Sequence, residues 1–561
     1  MTTTIPKHDT LLEYFYHWVD TKPDFPFLKQ PYGEVWKTLS YKEAYEEAAK
    51  MATALGKMGL KKGDHIAIFS KNCYHWILAD LAIMMGGYVS IPLYHNLSPG
   101  QLQEVLELSD SKLLFAGKLD AWEKHAEMVP KDLPIIRFPH YEGNAKVTQG
   151  TSWEELTANH NPQVDRFIPD PESLWTIMFT SGTTGTPKGV MHLHKTPAQI
   201  IKDDVKNDWI KVGRYPGSRL LSYLPLNHVG EKIGIYTTAL CIGGTIHFAE
   251  SIDTFADNLQ YTQPNIFFAV PRIWTKFYLG VASKIPLSAQ NWLFKIPILS
   301  GILKKSIKKK LGMGDAKIVA TGAAITPAYL KKWYKQFGLH LIEAYGMTEV
   351  CGSFTNSVEL DCPLDTVGKV VPGCEVKIDP DSGEVLMRSP YMMEGYYKAP
   401  ELTAKVLKDG WLHSGDQGTL DDEGYLRIIG RVSDAFKTSK GKFVTPNPME
   451  ETLGDTELIE QVCVAGLGIP QPIALVNLSD LAGSRDKDAI EEVLMGKLQE
   501  VNSRVANFEK VSTLVIDQET WTPENELITP TLKIRRQALN KKHGEHFLNW
   551  HNSKDTIIWL G

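Results

Sequence analysis

The feature that most constrains the fold of this chain is an alternation of apolar and amphipathic segments between residues 63 and 117. Short apolar runs, "GDHIAIFS", "YVSIPL" and "KLLFAG", alternate with the longer segments "KNCYHWILADLAIMMGG" and "PGQLQEVLELSDS". Apolar residues recur at helical spacing from Trp76 to Ile83, and Ser98 followed by Pro99 is a helix-start signal. This alternation of strand and helix patterns predicts βαβ units and a mostly parallel sheet.

The length of the chain, 561 residues, predicts several domain-sized units rather than one core. A boundary is expected in "IIGRVSDAFKTSKGK" at residues 428–442, where an apolar strand pattern gives way to a polar, lysine-rich segment. We therefore predict a large N-terminal domain over residues 1–431 and a small α+β domain over residues 432–561.

A second feature, "TSGTTGTPKGV" at residues 180–190, is rich in glycine and hydroxyl side chains and follows the apolar strand pattern "LWTIMF". It fails the Walker A pattern because the residue five beyond Gly182 is Pro187, and Gly189 follows Lys188. It also fails the dinucleotide-binding pattern because its glycines are three and then four residues apart. The remaining interpretations are a flexible hairpin that closes over polyphosphate, with Lys188 meeting its charge, and a surface turn without a ligand.

Composition and charge exclude some classes of protein. A formal net charge of −6 argues against a general nucleic-acid binder. No apolar run of about eighteen residues occurs, and no basic region precedes an apolar one at the start, so we expect neither a membrane span nor a secretory signal. The six cysteines are scattered without a C-x-x-C pair, which is typical of reduced thiols and predicts a cytoplasmic location. The oligomeric state stays unknown at this level.

The loop "TSGTTGTPKGV" is similar to the phosphate loop of the adenylate-forming superfamily, which includes AMP-forming acyl-CoA synthetases, luciferases and the adenylation domains of peptide synthetases. Further motifs of that superfamily follow in order: "LPLNHVGEK", "GAAITP", "EAYGMTE", "WLHSGDQG", "YLRIIGR" and "PTLKIRR". The segments "SYLPLNHVGEK", "PNIFFAVPRIWTKF", "KTSKGKFVTP" and "LITPTLKIRR" resemble the branch of long-chain fatty acyl-CoA synthetases.

The resemblance implies a fold, a reaction and co-substrates. The implied fold is α/β: a large N-terminal domain of mixed α/β subdomains, with parallel sheets plus a β-barrel-like part, and a small mobile α+β C-terminal domain. The implied reaction converts a fatty acid and ATP to acyl-AMP and pyrophosphate, with Mg²⁺, and then transfers the acyl group to CoA. Two other hypotheses stay open: a ligase for another carboxylic acid or a carrier-protein thiol, and a nucleotide-binding pseudoenzyme.

The resemblance also implies roles for individual residues of this sequence. The residues implied to bind the β and γ phosphates of ATP are Thr180, Ser181, Gly182, Thr183, Thr184 and Lys188. The residues implied to surround AMP are Gly322, Ala323, Ala324, Tyr345, Gly346, Asp416 and Arg431. The residues with implied catalytic roles are Lys533, Thr348, Glu349 and His228.

The resemblance implies a separate contact with ATP or Mg²⁺ for several of these residues. Tyr345 would stack on adenine, and Asp416 would accept hydrogen bonds from both ribose hydroxyls with Arg431 assisting. Thr348 would contact the α-phosphate, and Glu349 would hold Mg²⁺, since a hard cation favours a carboxylate oxygen.

The two remaining catalytic candidates, Lys533 and His228, have ordinary alternatives. Lys533 would reach from the C-terminal domain to the attacking carboxylate and the α-phosphate, but in "KIRR" it can also be a surface lysine. His228 would lie beside the acyl carboxylate and the thioester path. Because Glu231 follows it by three residues, the pair could also be half of a zinc site, although no second pair of ligands is nearby in the sequence.

The second half-reaction is implied to use a hinge at Ser433, two residues after Arg431. The family pattern more often has Asp or Lys there, but serine can absorb a change in φ and ψ. Ser389 in "GEVLMRSP" is a second departure, where glycine is commoner, and it carries no functional prediction.

Two further segments have open interpretations. The small, apolar segment "IGIYTTALCIGGTIHF" at 233–248 either lines an alkyl tunnel or belongs to an ordinary core. The segment "WLFKIPILSGILKKSIKKKLG" at 292–312 joins an apolar stretch to five lysines between Lys304 and Lys310. It is either a peripheral contact with an anionic membrane surface or a solvated helix with one buried face.

Overall fold

The computed structural model describes residues 5–162, 165–181, 187–296, 298–352, 354–522, 525–529, 533–553 and 555–560. The alternating elements expected near the N-terminus are confirmed. In chain order they are His65–Ser70, Tyr74–Gly86, Val89–Leu93, Pro99–Leu108 and Leu113–Gly117. Ser98 caps the second helix, because its hydroxyl accepts a hydrogen bond from the backbone N–H of Gln101 and the Gln101 side chain accepts one from the backbone of Ser98.

The sheet that contains these strands also contains the predicted phosphate hairpin. In order across the sheet, its strands are Gly395–Tyr396, Pro187–Leu193, Leu174–Ser181, Val89–Leu93, His65–Ser70, Leu113–Gly117, Ile135–Arg137 and Thr151–Ser152. Pairing is antiparallel at the hairpin end and parallel across the rest. Thr180 lies opposite Lys188, so the hairpin is confirmed on both sides of its tip.

A second, mixed sheet carries the other strand ends of the candidate site. In order across it, its strands are Lys369–Val370, Thr355–Asn356, Leu341–Tyr345, Ile318–Gly322, Ile266–Ala269, Arg219–Ser222, Thr245–Phe248, Pro26–Tyr32 and Val35–Ser40. The inner pairs are parallel and the pairs at both edges are antiparallel. Ile66 of the first sheet and Ile246 of the second lie in the same hydrophobic core, together with the helix Tyr74–Gly86.

A third, antiparallel sheet forms the last part of the predicted N-terminal domain. Its strands are Glu375–Ile378, Glu384–Arg388 and Trp411–Leu420, with both Leu407–Lys408 and Leu426–Arg431 on the far side of the third. Over the residues described, this pairing does not return to its first strand. The barrel-like part implied by the resemblance is therefore an open antiparallel sheet.

The C-terminal region has its own sheets and its own cores. The strands of its larger sheet, in order, are Ile459–Ala465, Ile473–Leu478, Leu514–Ile516 and Ile557–Trp559, and a short ladder pairs Phe436–Lys437 with Phe443–Val444. Its two hydrophobic clusters begin at Phe436 and Cys463, whereas the buried members of the main core end at Leu426. This separation agrees with a boundary near residue 431, which stays a prediction.

Helices cover the sheets and fill the space between them. The other α-helices are Leu11–Thr21, Tyr41–Lys57, Glu123–Ala126, Trp153–Asn159, Lys195–Asn207, Val229–Glu231, Thr238–Ile242, Phe255–Thr262, Pro271–Ala282, Leu287–Leu293, Leu299–Lys310, Ala328–Lys335, Pro400–Val406, Asn447–Leu453, Lys487–Arg504, Arg536–His543 and Phe547–His551. Val212–Arg214, Thr348–Val350, Ala482–Ser484 and Gly544–His546 are 3₁₀-helices, and Lys232–Thr237 is a π-helix. None of the helices within the described ranges has the length and apolar composition needed to cross a membrane.

Candidate active site

The candidate site begins where two neighbouring parallel strands end. The strands that end at Gly322 and Tyr345 pair in register, with Gly322 opposite Ala344, so their carboxyl ends meet at one edge of the mixed sheet. A Cβ atom on Gly322 would lie 2.6 Å from the carbonyl oxygen of Ala344, so a larger residue would push the strands apart. Ala323 follows with a φ of +67°, in the left-handed region that residues with a Cβ rarely adopt. The two strand ends thus form a close backbone wall beside Tyr345.

Tyr345, Asp416 and Arg431 form a connected group at this edge. The Tyr345 hydroxyl donates a hydrogen bond of 2.7 Å to Oδ2 of Asp416, and Nε of Arg431 lies 2.8 Å from Oδ1. Asp416 and Arg431 also lie opposite each other in the antiparallel sheet, so the strand register itself sets their pairing. Burial raises the pKa of Asp416, and the charge of Arg431 and the bond from Tyr345 oppose that shift. Each carboxylate oxygen keeps a further lone pair, with which the group can accept a ribose hydroxyl.

Tyr396 lies between Lys188 and Glu349 and contacts both side chains. The Tyr396 hydroxyl donates a hydrogen bond of 2.7 Å to Oε1 of Glu349, and the Lys188 ammonium lies 5.7 Å from the centre of the Tyr396 ring. Of the other predicted phosphate residues, Thr180 lies in the hairpin strand and Ser181 is described only by its backbone. Gly182, Thr183 and Thr184 lie outside the described residues.

The turn that carries Thr348 and Glu349 is fixed from two sides. The His192 imidazole, on the hairpin strand, lies 2.7 Å from the carbonyl oxygen of Thr348 and so donates to it through Nε2–H. Burial lowers the pKa of His192 to about 4, which keeps the ring neutral. The backbone N–H of Met393 donates to the carbonyl oxygen of Glu349 at 2.8 Å. The phosphate hairpin and the predicted metal-binding turn are thus held in one unit.

His228 has a defined tautomer. Its Nδ1 accepts a hydrogen bond of 3.1 Å from the backbone N–H of Gly230, so the proton of the neutral ring lies on Nε2. Burial, followed by the positive charge of Lys533, lowers the pKa of His228 to about 4. His228 is therefore a neutral hydrogen-bond donor near physiological pH.

Glu231 and Lys232, which follow His228, form buried contacts with other residues of the protein. Oε1 of Glu231 accepts a hydrogen bond from the backbone N–H of Tyr223 at 3.1 Å, and burial raises the pKa of Glu231 to about 8. Lys232 forms a 3.1 Å ion pair with Asp80, and both side chains are 0% exposed. Among the described residues, no group of three or more His, Cys, Asp or Glu side chains could hold a metal ion. The zinc interpretation of His228 and Glu231 therefore has no support in the structure.

The apolar segment 233–248 belongs to the core. Ile235, Leu240 and Ile242 are fully buried in the main hydrophobic cluster, on the π-helix and the short α-helix that follows it. The packing therefore favours the ordinary-core interpretation of this segment over a tunnel lining.

Lys533 reaches the site from the C-terminal region. Its backbone N–H donates to the Thr529 hydroxyl at 3.0 Å, and its carbonyl oxygen accepts from the backbone of Thr529 at 2.7 Å. Part of the Lys533 side chain is exposed to solvent. Nearby protein atoms nevertheless displace water from its ammonium group, and this desolvation is the largest cause that lowers the pKa of Lys533 to about 8. The charge of Arg431 adds to the shift and that of Asp416 opposes it. Lys533 therefore lies in the electrostatic field of the Asp416 and Arg431 pair.

An ion pair between Arg272 and Glu460 links the N-terminal region to the C-terminal region. Nη2 of Arg272 lies 2.7 Å from Oε1 of Glu460, and the two side chains are 15% and 16% exposed. Arg272 opens the helix that follows the strand Ile266–Ala269, and Glu460 lies at the start of a strand of the C-terminal sheet. This contact joins the two regions in the orientation in which the charge of Lys533 interacts with Asp416 and Arg431.

The predicted hinge residue, Ser433, is exposed in a turn between two sheets. The turn follows Arg431, the last residue of the antiparallel sheet, and the backbone N–H of Asp434 donates to the carbonyl oxygen of Arg431 at 3.1 Å. Its placement between the regions is compatible with a hinge, and the role stays a prediction.

Contacts and charge interactions bring Tyr345 together with Asp416 and Arg431, Lys188 with Glu349 through Tyr396, and Lys533 with Asp416, Arg431 and His228. The other described candidates, Thr180, Gly322, Ala323, Ala324, Gly346 and Thr348, lie in the strands and turns next to these residues.

Three residues, Tyr396, Arg272 and Phe268, had no functional role predicted from the sequence. A Cβ atom on Gly230 would lie 3.2 Å from the Phe268 ring and one on Gly322 would lie 3.4 Å from it, so this ring separates the His228 and Gly322 segments. Phe268 and Arg272 lie within the segment "PNIFFAVPRIWTKF", and the resemblance of that segment to the long-chain branch was the signal in the sequence for them.

Comparisons with known proteins identify the family. Residues 15–397 match the family described as AMP-binding enzyme, and residues 433–546 match the AMP-binding enzyme C-terminal domain. The chain belongs to the AMP-binding enzyme family. This membership confirms the resemblance that the ordered motifs indicate.

Relatives of this AMP-binding enzyme cover nearly its whole length. It is 28% identical over 601 residues to the long-chain-fatty-acid–CoA ligase FadD15 of Mycobacterium bovis, covering 96% of each chain. It is 27% identical over 576 residues to long chain acyl-CoA synthetase 5 of Arabidopsis thaliana, covering 90% of this chain and 85% of the relative.

A solved structure shares its fold. The A domain of carboxylic acid reductase from Segniliparus rugosus, in complex with AMP and a co-purified carboxylic acid, superposes with a TM-score of 0.80 at 21% identity. The match covers 96% of this chain and 93% of that chain. It confirms the predicted α/β fold class with a separate C-terminal domain.

Proposed function

We propose that the protein is an AMP-forming long-chain fatty acyl-CoA synthetase. It activates a fatty acid with ATP to acyl-AMP, releases pyrophosphate, and transfers the acyl group to CoA. The observation that carries this proposal is the position of Lys533, a cation from the C-terminal region, beside Asp416 and Arg431 and within electrostatic reach of neutral His228. Family membership and the long-chain relatives support it.

The first half-reaction must bring two anions together. A carboxylate cannot acylate a thiol directly because its leaving group would be oxide, so it is first joined to AMP. The carboxylate attacks the α-phosphorus of ATP in line with departing pyrophosphate, and the site must neutralise charge and fix geometry. The Lys533 ammonium meets the carboxylate and the α-phosphate, and Nε2–H of His228 donates to a carboxylate oxygen. Tyr345 and Asp416 hold the adenosine.

The donors around Glu349 fit a magnesium ion that is held largely by substrate. Glu349 offers one nearly buried carboxylate, and Mg²⁺ commonly binds through one or two carboxylates together with substrate phosphates. Such a site needs no protein-only cage. Glu349 would hold the ion, which when bound neutralises phosphate charge, and the adjacent Thr348 would contact the α-phosphate. Lys188 adds a fixed positive charge on the same side of the site.

The second half-reaction requires access for CoA. Rotation of the C-terminal domain about Ser433 would withdraw Lys533 and open a route to the acyl-AMP, since hinges are short turns that absorb large changes in φ and ψ. His228 stays with the N-terminal part in both states. The half-buried ring of Phe268, between the His228 and Gly322 segments, would contact the acyl group where it leaves the adenylate.

The experiment that tests the proposal measures pyrophosphate release from ATP and Mg²⁺ across straight-chain acids from acetate to oleate, with and without CoA. We expect sustained turnover that needs CoA and is fastest with long chains. Lys533→Ala should lose this activity, while Lys541→Ala, a matched change at an exposed lysine on the next helix, should keep it.

Other outcomes would replace the proposal. Turnover with short or aromatic acids alone would assign the protein to another acid. Acyl-AMP formation that CoA does not accelerate would point to a carrier-protein thiol. Nucleotide binding without pyrophosphate release for any acid would indicate a pseudoenzyme.

A further inference from the structure

The segment around residues 284–310 stands apart from the rest of this acidic chain. Residues 258–314 contain no Asp or Glu and nine Lys or Arg, whereas the whole chain has a formal net charge of −6. The proposed reaction uses none of these nine residues except through the ion pair of Arg272. The positive charge is therefore concentrated in one stretch without a catalytic task.

The helix Leu299–Lys310 turns one face inward and a different face outward. Leu303 and Ile307 are four residues apart and pack against the core, and Ile307 is the buried residue of this helix. On the opposite side, Ile302, Lys305 and Lys309 are spaced by three and four residues and are exposed. The outward face thus carries lysines along its length and an isoleucine near its first turn.

Large apolar side chains are exposed where this helix begins. Trp292 is 66% exposed at the end of the preceding helix, and Ile298 and Ile302 are 83% and 65% exposed. Leu299 is also exposed. A solvated helix with one buried face accounts for the lysines but gives no reason for a group of exposed apolar residues.

The segment is fixed to the protein in this orientation. The Phe294 ring packs edge-on against Phe337 at 5.4 Å between centroids, and the Lys304 ammonium lies 5.0 Å from the Phe294 ring. At the other end, the Gln263 side chain donates to the carbonyl oxygen of Lys309 at 2.8 Å, and Gln260 donates to that of Lys310 at 3.0 Å. The helix therefore presents its outward face on a defined support.

We propose that Trp292, Ile298, Leu299, Ile302, Lys305 and Lys309 form a docking face for an anionic lipid bilayer. The apolar residues enter the interface between headgroups and acyl chains, and the lysines contact anionic headgroups. Charge complementarity selects this occupant: a bilayer offers both an apolar layer and a sheet of negative charge, which an acidic peptide or a nucleic acid does not. Since the assay below involves no turnover, its outcome is independent of the proposed activity.

The test is flotation of the full chain with vesicles of neutral phosphatidylcholine, and with vesicles that also contain phosphatidylglycerol, at low and high salt. We expect binding to the anionic vesicles that weakens with salt. Lys305→Gln with Lys309→Gln should lower the partition coefficient about 30-fold, because each lysine near an anionic surface contributes about 1 kcal/mol. Ile302→Asn should also lower it at every salt concentration.

Matched controls separate this face from the surface as a whole. Lys124→Gln with Lys131→Gln removes the same charge at two exposed lysines elsewhere, and Leu467→Asn changes a side chain that is 65% exposed, as Ile302 is. Both controls should bind like the unchanged protein. Circular dichroism melts should match for every variant, so that loss of binding is not loss of folding.

Four results would overturn the proposal. They are no binding to anionic vesicles, equal loss in the control variants, equal binding to neutral vesicles, and full competition by a short DNA duplex with no effect of Ile302→Asn. The last would indicate a polyanion site rather than a lipid surface.

Discussion

Asp416 and Lys533 are two candidate site residues whose charges interact, but they are held in different ways. Asp416 lies in a sheet, opposite Arg431 in strand register, and accepts a hydrogen bond from Tyr345 at the end of another sheet. Lys533 lies in a C-terminal segment that bonds to its own neighbour, Thr529, and its position depends on how the C-terminal region sits against the rest. The predicted adenosine side is thus fixed within the sheets, whereas the position of the predicted catalytic cation depends on the C-terminal region.

This difference predicts how the two half-reactions separate. Acyl-AMP is the product of the first step and the substrate of the second, so a residue that binds its adenosine part should affect both steps. A cation that arrives with the C-terminal region should affect only the step for which that orientation is required. Variants of Asp416 should therefore slow both half-reactions, and variants of Lys533 should slow only one of them.

The largest effect is expected for Lys533→Ala. Adenylate formation, measured as ATP–pyrophosphate exchange, should fall about 10³-fold because the charge that offsets two meeting anions is gone. Thioester formation from synthetic acyl-AMP and CoA should stay close to that of the unchanged protein. Equal loss in both assays would show that Lys533 also serves the second step, and the comparison with Asp416 would fail.

Asp416→Asn should give a smaller but broader effect. The amide keeps the shape of the side chain and loses the charge that pairs with Arg431 and accepts from hydroxyl donors. We expect kcat/KM to fall about 10²-fold in both half-reactions, since hydrogen bonds to charged groups contribute roughly 1.5–3 kcal/mol each. Asp421→Asn, at a carboxylate that pairs with Arg427 in the same sheet, is the matched control. Loss confined to adenylate formation would contradict a shared adenosine site.

How much of this site the sequence could supply depends on how local each contact is. The pairing of Asp416 with Arg431 lies within two adjacent strands, and the motifs that contain them stand close together in the chain. The helix start at Ser98 and the strands around it are also local patterns, and they are confirmed. The contact of Tyr396 with Glu349 spans 47 residues, and nothing in the neighbourhood of Tyr396 in the sequence points to it.

Apolar composition left a second question that only packing could answer. A tunnel lining and a protein core both require small apolar residues, so the sequence of the segment 233–248 left both interpretations open. In the structure, the side chains of Ile235 and Leu240 are fully buried in the main core, next to the buried ion pair of Lys232 and Asp80. Lys232 and its partner Asp80 come from distant segments of the chain, so the sequence around neither residue predicts that they pair.

The pH dependence of adenylate formation sharpens the comparison. The protonated ammonium is the active form of Lys533, and enclosure by protein lowers its pKa to about 8. The kcat/KM of the first half-reaction should therefore fall as the pH rises through 8, by roughly tenfold per unit above it, because this ratio reports the free enzyme. In Lys533→Arg the guanidinium stays charged, so whatever activity remains should lack this alkaline decline. The same decline in both proteins would assign it to another group.

The smallest effect is expected at the ion pair between Arg272 and Glu460, and it tests the comparison most directly. Neither side chain contacts the predicted reacting atoms, so Glu460→Gln should act only through the orientation of the C-terminal region. Adenylate formation should fall about fivefold, as a partly exposed ion pair contributes up to roughly 1 kcal/mol, while thioester formation should be unchanged or faster. Glu492→Gln, on a helix of the same region, is the control.

A charge exchange distinguishes orientation from folding. Arg272→Glu with Glu460→Arg restores the pair in reverse and should recover adenylate formation relative to either single reversal. If Glu460→Gln slows both half-reactions equally, the pair stabilises the folded chain without favouring one orientation. In that case Lys533 would owe its place to other contacts of the C-terminal region. If the exchange recovers only the first half-reaction, the separate support of Asp416 and Lys533 is what divides the two steps.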